Sequence, residues 1–247
     1  MKKKYKIIIV MPAYNAEKTL EKTFKDIPKG LAYEVILVDD ASTDKTIKIA
    51  KKLGITVIPH KENLGYGGNQ KTCYDEALKK GADIIIMLHP DYQYDATRLG
   101  ELVRPIQEGR YDAMFGSRIR TRQEALQGGM PVIKYILNRL LTPIENIILG
   151  VNFSEHLSGL RAYSREVVKK VPYRRFSDDF LFDQQFMAST ISYGFRISEI
   201  PVPVRYFDEA SSIGLKKGSI FLLGTTMILF GFVLHKAGLV KSKWFAK

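Results

Sequence analysis

The chain has 247 residues, 45% of them hydrophobic, which suits one large α/β domain or two small ones and argues against disorder. Its single cysteine, Cys73, excludes an internal disulfide and a multi-cysteine zinc site, and favours a reducing compartment. The formal net charge of +12 points to an anionic partner: nucleic acid, an acidic membrane surface or a phosphorylated substrate.

The N-terminal stretch "MKKKYKIIIVMPAYN" opens with basic residues and an apolar run. That run is too short for a signal-peptide core, lacks a small-residue cleavage site and ends at Pro12. It is expected to be a strand over 6–11, in a protein kept in the cytosol. Further apolar runs at 34–38, 56–58, 83–88 and 113–115 read as strands. Helical patterns at 16–26, 44–53, 69–80 and 95–108 lie between them. Strand and helix taking turns predict a mostly parallel sheet with helices on both faces, whose ligands bind beyond the carboxyl ends of the strands. The polar signals sit at those ends: "MPAYN", "VDDASTD", "HKENLGYGGN", "HPDYQYD" and "GSR". No nucleic-acid-binding signature occurs along the chain.

Asp39 and Asp40 follow the apolar run "EVILV". Ser42 or Thr43 would cap the next helix, with Asp44 favouring its positive end. Two adjacent carboxylates at a strand tip instead call for donors, such as a ribose hydroxyl or a nucleobase N–H. "NLGYGGN" sets Gly65, Gly67 and Gly68 ahead of a helix, either as a plain turn or as close backbone approach to a phosphate; it is neither a P-loop nor GxGxxG. Asp91, at the end of a buried strand, and Gln93 offer hard oxygen ligands for Mg²⁺ or Mn²⁺. His89 reads either as a ligand or as an ordinary strand-edge residue.

Taken in order, "MPAYNAEKTL", "VILVDDASTDKT", "NLGYGGN", "DYQYD" and "GSR" resemble the motif series of the family-2 glycosyltransferases of GT-A fold. Within them the chain is most similar to the polyprenyl-phosphate sugar synthases, the group that includes dolichyl-phosphate mannose synthase. The resemblance spans about residues 6–206. It implies a GT-A domain over 1–210, a nucleotide-diphospho-sugar donor, a divalent metal (Mn²⁺ or Mg²⁺) and inverting transfer. Pro12, Ala13, Tyr14 and Glu17 would then border the nucleotide, Asp39 and Asp40 would hold base or ribose, and Gly65, Gly67 and Asn69 would complete the donor site. Asp91 and Gln93 would hold the metal against the diphosphate. The family's usual Asp-x-Asp is here His89-Pro90-Asp91, so the first carboxylate is missing. Imidazole suits Mn²⁺ better than Mg²⁺, which shifts the expected metal preference towards Mn²⁺.

Arginines can share the stabilisation of a departing diphosphate. "GSRIRTR" supplies Arg118, Arg120 and Arg122 at alternate positions, "LSGLRAY" supplies Arg161, and "VPYRRF" supplies Arg174 and Arg175, each set alternatively a solvated basic face. In the resembling enzymes the arginines of "GSR" and "SGLR" lie near phosphate, which marks Arg118 and Arg161 as catalytic candidates. A hydroxyl acceptor would need a general base, for which Asp178, Asp179 and Asp183 in "FSDDFLFDQQF" are available, Asp183 foremost. A polyprenyl phosphate, already an anion, would not. A non-catalytic nucleotide-sugar binding protein is the alternative from another class.

Two segments bear on a membrane. "VIKYILNRLLTPIENIIL" carries an apolar stripe (Ile133, Ile136, Leu137, Leu140, Ile144, Ile147, Ile148) at helical spacing, readable as core or as a docking face; Pro143 argues against one straight helix. Residues 219–234 are uncharged, about 24 Å of helix at about 1.5 Å per residue, against a span of about 20 residues. Lys216, Lys217, Lys236, Lys241 and Lys243 bracket this segment, and Trp244 and Phe245 could anchor it. Residues 211–247 are therefore expected to form an interfacial helix and basic tail on the cytosolic face, with a single span or a second subunit as the other uses.

Overall fold

The computed structural model describes residues 4–119, 121–206 and 215–246. Arg120, one of the three alternating arginines, lies outside the described residues, as do the side chains of Lys216 and Lys217. The elements run β1 (Ile7–Ala13), α1 (Leu20–Lys25), β2 (Glu34–Asp39), α2 (Thr46–Lys52), β3 (Thr56–Pro59), α3 (Gly65–Lys79), β4 (Ile84–Met87), α4 (Leu99–Gln107), β5 (Ala113–Ser117), α5 (Arg122–Gln127), α6 (Val132–Leu149), β6 (Arg161–Ser164), α7 (Arg165–Lys170), α8 (Leu181–Ser192), β7 (Ile197–Pro201) and α9 (Leu215–Lys236).

The described strands form one seven-stranded sheet in the order β3-β2-β1-β4-β6-β5-β7. All are parallel except β6, which runs antiparallel to both β4 and β5. The sheet is covered on both faces, so its central strands are apolar throughout: every residue of β4 is buried, and Ile8, Ile9 and Val10 of β1 are sealed from solvent. One face packs on α4 and α1 through Leu99, Leu102 and Leu20, the other on α3 and α8 through Tyr74, Phe182 and Phe186. β6 has a direct consequence for function. Being reversed, it delivers its first residue, Arg161, to the rim where the parallel strands end, in register with Met87 of β4.

Several sequence expectations shift. β1 continues through Pro12 to Ala13, and α3 starts at Gly65 rather than Asn69, taking the glycines into its first turn. Ser42 and Thr43 do not cap α2: the Ser42 hydroxyl accepts from Asn15 N–H at 2.8 Å and the Thr43 amide donates to Asn15 Oδ1 at 2.9 Å, so both lock the β1 exit to the β2 exit. Asp44 does the capping, accepting from Thr46 N–H at 2.9 Å.

α6 corrects the sequence reading most. It runs unbroken past Pro143, whose ring is exposed, and it is turned inside out. Asn138, Thr142 and Glu145 face the domain and are buried, whereas Leu140, Ile144 and Ile147 face outward, Ile147 at 83% exposure. The buried side is committed to polar contacts: Asn138 donates to Glu155 at 3.1 Å, and Asn146 exchanges hydrogen bonds with the Phe153 backbone. α9 lies against α8 and α6 through Ile228, Leu229 and Phe232, and leaves Leu223, Met227 and Phe230 exposed. Trp244 and Phe245 are not free anchors. They fold back under α9, Phe245 buried against the Phe232 ring and the Trp244 carbonyl accepting from Ser189 at 2.8 Å.

Candidate active site

Because β2, β1 and β4 are neighbours, their exits form one continuous rim. Each exit carries a non-glycine residue with positive φ: Ala41 after β2 (+62°), Asn15 after β1 (+52°) and Tyr92 after β4 (+59°). Such backbone costs of order 1 kcal/mol or more per residue, and it concentrates where a scaffold holds functional side chains. In each case the sharp turn aims the flanking residues, Asp39 and Asp40, Tyr14, and Asp91, along the rim.

The two carboxylates after β2 differ. Asp40 is saturated by the protein: Oδ1 accepts from Leu64 N–H at 2.9 Å and meets His60 Nδ1 at 2.7 Å, while Oδ2 accepts from Gly65 N–H at 3.0 Å. It therefore builds the glycine loop instead of offering itself to a ligand. Asp39 Oδ2 accepts from Ser42 N–H at 2.9 Å, but its Oδ1 is buried without a hydrogen-bond partner among the described residues. An orphaned buried acceptor costs about 1–3 kcal/mol, which a donor from a bound molecule would relieve. Tyr14 is 56% exposed beside it, and Pro12 is half-buried. Glu17 Oε2 accepts from Lys45 N–H at 3.0 Å. Asn69 is buried and donates to the Val38 carbonyl at 3.1 Å and the Ala13 carbonyl at 3.4 Å, tying the ends of β1 and β2 together.

The glycines answer to a segment of the same chain. Gly67 N–H donates to the Asp178 carbonyl at 2.7 Å and Gly68 N–H to the same atom at 3.3 Å. A Cβ on Gly65 would stand 2.7 Å from that carbonyl, and one on Gly67 2.8 Å from Phe182 Cβ. The close approach expected at "NLGYGGN" is real, but it is made to the bend that leads into α8, and the Gly67 and Gly68 amides are already spent on it.

At the β4 exit Asp91 Oδ1 accepts from Gln93 N–H at 3.1 Å, with Asp91 half-exposed. Gln93 is 6% exposed and gives its carbonyl to Arg205 N–H at 2.9 Å, so its visible part is played by its backbone. His89 is half-buried. Burial lowers its pKa, against the opposing pull of Asp91 and Asp183. Among the described residues no group of three or more His, Cys, Asp and Glu side chains is arranged to hold a cation. One imidazole and one carboxylate are, however, the donor set of a site that leaves its remaining positions to phosphate oxygens and water, and they fit a metal bound in that way.

Asp183 stands at the centre of a buried network. Its Oδ2 accepts from Tyr66 O–H at 2.8 Å and faces Arg161 Nη2 at 3.5 Å; its Oδ1 accepts from Gln70 Nε2 at 3.1 Å. Arg161 is 1% exposed and also donates to the Asp183 and Ser158 carbonyls at 3.0 and 2.8 Å. Despite the cost of burial, the Asp183 carboxylate and the surrounding tyrosines hold the Arg161 guanidinium well above the ordinary arginine range, so it stays charged. Tyr66 hydroxyl ionisation is pushed up by burial and by Asp183. Arg118 is likewise enclosed: Nη2 pairs with Glu155 Oε2 at 2.7 Å and donates to the Leu157 carbonyl, and Nη1 donates to Tyr206 O–H at 3.0 Å. Both arginines, the catalytic candidates of the sequence, are engaged by the protein's own carboxylates and carbonyls. Arg174 pairs with Asp75 and Arg175 reaches the Lys243 carbonyl, so this pair belongs to the protein's own framework. Asp178 is held by Lys71 at 2.7 Å, and Asp179 turns its carboxylate to Phe180 N–H.

The match to known sequences decides the family. Residues 8–172 fit the model of glycosyl transferase family 2. The chain belongs to that family. It is a glycosyltransferase. Over 233 residues it is 33% identical to an uncharacterized protein of Methanocaldococcus jannaschii, covering 94% of this chain and 93% of that one. It is 26% identical over 225 residues to the UDP-N-acetylglucosamine–dolichyl-phosphate N-acetylglucosaminyltransferase of Methanococcus voltae, covering 84% and 89%. In structure it resembles glucosyl-3-phosphoglycerate synthase of Mycobacterium tuberculosis, solved with Mg²⁺ and UDP: TM-score 0.70 at 20% identity, over 96% of this chain and 81% of that one. The same enzyme with Mn²⁺ and UDP-glucose gives a TM-score of 0.69 at 21% identity, over the same shares. The fold is thus the GT-A fold that the motif series implied. Tyr66, Gln70 and Glu155 escaped the sequence reading. Tyr66 lies inside a glycine-rich helix start that reads as a loop, and neither Gln70, in the helical pattern that follows, nor Glu155 belongs to a motif.

Proposed function

We propose that this glycosyltransferase moves a sugar from a nucleotide-diphospho-sugar to a polyprenyl phosphate at the cytosolic face of a membrane, with inversion at the anomeric carbon. The observation that carries this reading is the state of Asp183. Both of its oxygens already accept, from Tyr66 and Gln70, and Arg161 stands against it. A hydroxyl acceptor needs a free base within hydrogen-bond reach, and this carboxylate would have to break its own network to serve. A phosphate acceptor is an anion and needs no such base. The resemblance to the dolichyl-phosphate enzyme of Methanococcus voltae supports the same acceptor class.

On the donor side, Asp39 Oδ1 awaits a donor, which a ribose hydroxyl or a base N–H would supply. Asp91 and His89 would hold a divalent cation shared with the diphosphate. When bound, that cation would stabilise the charge on the departing diphosphate. Arg161 and Arg118 contribute behind the rim, Arg161 by fixing Asp183 and Arg118 by fixing the β5 exit through Glu155. An acceptor phosphate attacks the anomeric carbon from the face opposite the leaving diphosphate, and the sugar leaves as a phosphodiester to the lipid.

The outer faces of α6 and α9 support membrane docking. Both helices expose aliphatic side chains on the side away from the domain, Leu140, Ile144 and Ile147 on α6 and Leu223 and Met227 on α9, the kind of apolar surface that marks a docking face. Residues Gly218–Lys236 have a mean hydropathy of 1.8, long and apolar enough for a span, yet one side of α9 is seated on the domain. A helix lying in the interface fits that seating. Incubation of the protein with vesicles, Mn²⁺ and a panel of labelled nucleotide sugars, then organic extraction, tests the proposal. Label in an acid-labile lipid product is the expected result; label that remains water-soluble with every donor contradicts it.

A further inference from the structure

Tyr66 and His89 form a contact that no motif of the chain announces. The two rings are stacked, 5.4 Å between centroids and 5° apart in plane, and the Phe180 ring packs on Tyr66 at 4.7 Å with a 30° tilt. Gly159 closes the remaining edge: a side chain there would come within 3.0 Å of His89 Cδ2 and Nε2. The imidazole is thus clamped in one orientation, with its Nε2 edge inward and 3.3 Å from Tyr66 Oη.

The hydrogen bonds fix more than orientation. Asp183, ion-paired with Arg161, can only accept, so the Tyr66 hydroxyl gives it its proton at 2.8 Å. Tyr66 Oη then has only lone pairs to offer His89, so Nε2 meets it as the N–H donor. The lone pair is left on Nδ1, the nitrogen that makes no protein hydrogen bond among the described residues. Ligand histidines are commonly oriented by a hydrogen-bond acceptor on the other ring nitrogen.

We infer that Tyr66 is a positioning residue that sets His89 in the Nε2–H tautomer, so that Nδ1 takes the metal position left by the missing carboxylate. This rests on the reading that the β4 exit binds a divalent cation. It gives the Asp183–Tyr66 pair a task at the metal that a family Asp-x-Asp site would not need, because a carboxylate has no tautomer to choose.

The test uses the full-length protein with ¹⁵N-labelled histidine. Long-range ¹H–¹⁵N correlation reads the tautomer without metal, and pulsed EPR with Mn²⁺ and inorganic pyrophosphate reads histidine nitrogen coupling. The wild type should show protonated Nε2 and bare Nδ1 at His89, and Mn²⁺ coupled to one histidine nitrogen. Tyr66→Phe keeps both ring contacts and removes only the hydroxyl. It should mix the tautomers and weaken Mn²⁺ binding about tenfold, the low end of what loss of a ligand's hydrogen-bond partner costs. A wild-type Nδ1–H tautomer, or a tautomer unchanged in Tyr66→Phe, overturns the inference while leaving the cation site standing. Bound Mn²⁺ without histidine coupling overturns the ligand role alone. Failure of Mn²⁺ to bind with pyrophosphate at all sinks the cation site itself, and His89's role with it.

Discussion

Replacing Asp183 by Asn separates a base from a structural anchor. Arg161 is 1% exposed and its side-chain partner Asp183 is 15% exposed, at 3.5 Å. At an effective dielectric of about 20, that separation is worth about 4–5 kcal/mol of attraction before desolvation. Leaving a buried cation without its counter-charge costs about 3–5 kcal/mol in comparable pairs. The amide still accepts one hydrogen bond, from Tyr66 or Gln70, so the lower end applies and the expected loss is about 3 kcal/mol. For a chain of this size that is a fall in Tm of about 6–12 °C. Urea unfolding followed by circular dichroism measures it, and the Arg161→Met/Asp183→Asn pair should recover about 2 kcal/mol of the sum of the single losses. Transfer to polyprenyl phosphate, scaled to folded protein, should stay within about tenfold of wild type. A loss of a hundredfold or more with the fold intact is what a missing general base produces, and it would refute the argument. So would an Asp183→Asn protein as stable as wild type.

Burial raises Glu145 to about 7 from an ordinary 4.5 and lowers His156 to about 4 from an ordinary 6.5. Glu145 takes up its proton on folding between those two values, so its stabilising share is full below pH 4.5 and is lost as pH rises through 7. Glu145→Gln should therefore gain about 3 kcal/mol over wild type at about pH 8 and almost nothing at about pH 4, by urea unfolding; a difference independent of pH contradicts this. His156 acts in the opposite sense, so the Glu145→Gln protein should lose stability steeply on acidification from 6.5 to 4. His89→Asp restores two carboxylates at the β4 exit and should move the Mg²⁺/Mn²⁺ activity ratio about tenfold towards Mg²⁺; an unchanged ratio removes His89 from the metal's surroundings. Leu140→Glu with Ile147→Glu, both on the outward face of α6, should cut sedimentation with anionic vesicles by about tenfold or more without changing Tm, and unchanged binding would move the docking face elsewhere.

Much of the fold could be read because each of β1 to β5 is a short apolar run that ends in polar residues, whereas parallel β7, "ISEIP", is not. Asp39 and Asp91 were both found in this way, and the structure places them on one rim. β6 could not be read: "RAYS" carries one arginine and one serine in four residues, and only the sheet around it makes it a strand. With β6 missed, nothing showed that Arg161 would be buried against Asp183. Asp40, Gly65, Gly67 and Asn69 stand out in the sequence as donor-site candidates, and the partners the structure gives them are other parts of the chain. Motif spacing marks where a backbone is constrained without saying whether the constraint serves a ligand or the scaffold. α6 stays open on sequence for a related reason. Periodicity finds two faces and cannot say which is inside, because Asn138 is held there by Glu155, a distant partner, and Glu145 is buried with its Oε1 unpartnered among the described residues.

The acceptor's chemistry is the central claim, and the most direct measurement compares two lipids of equal chain length, a polyprenyl phosphate and the corresponding polyprenol, with one donor. The account predicts a kcat/KM for the phosphate at least about a thousandfold higher, since no free base awaits a hydroxyl. Equal rates, or a preference for the alcohol, would contradict it.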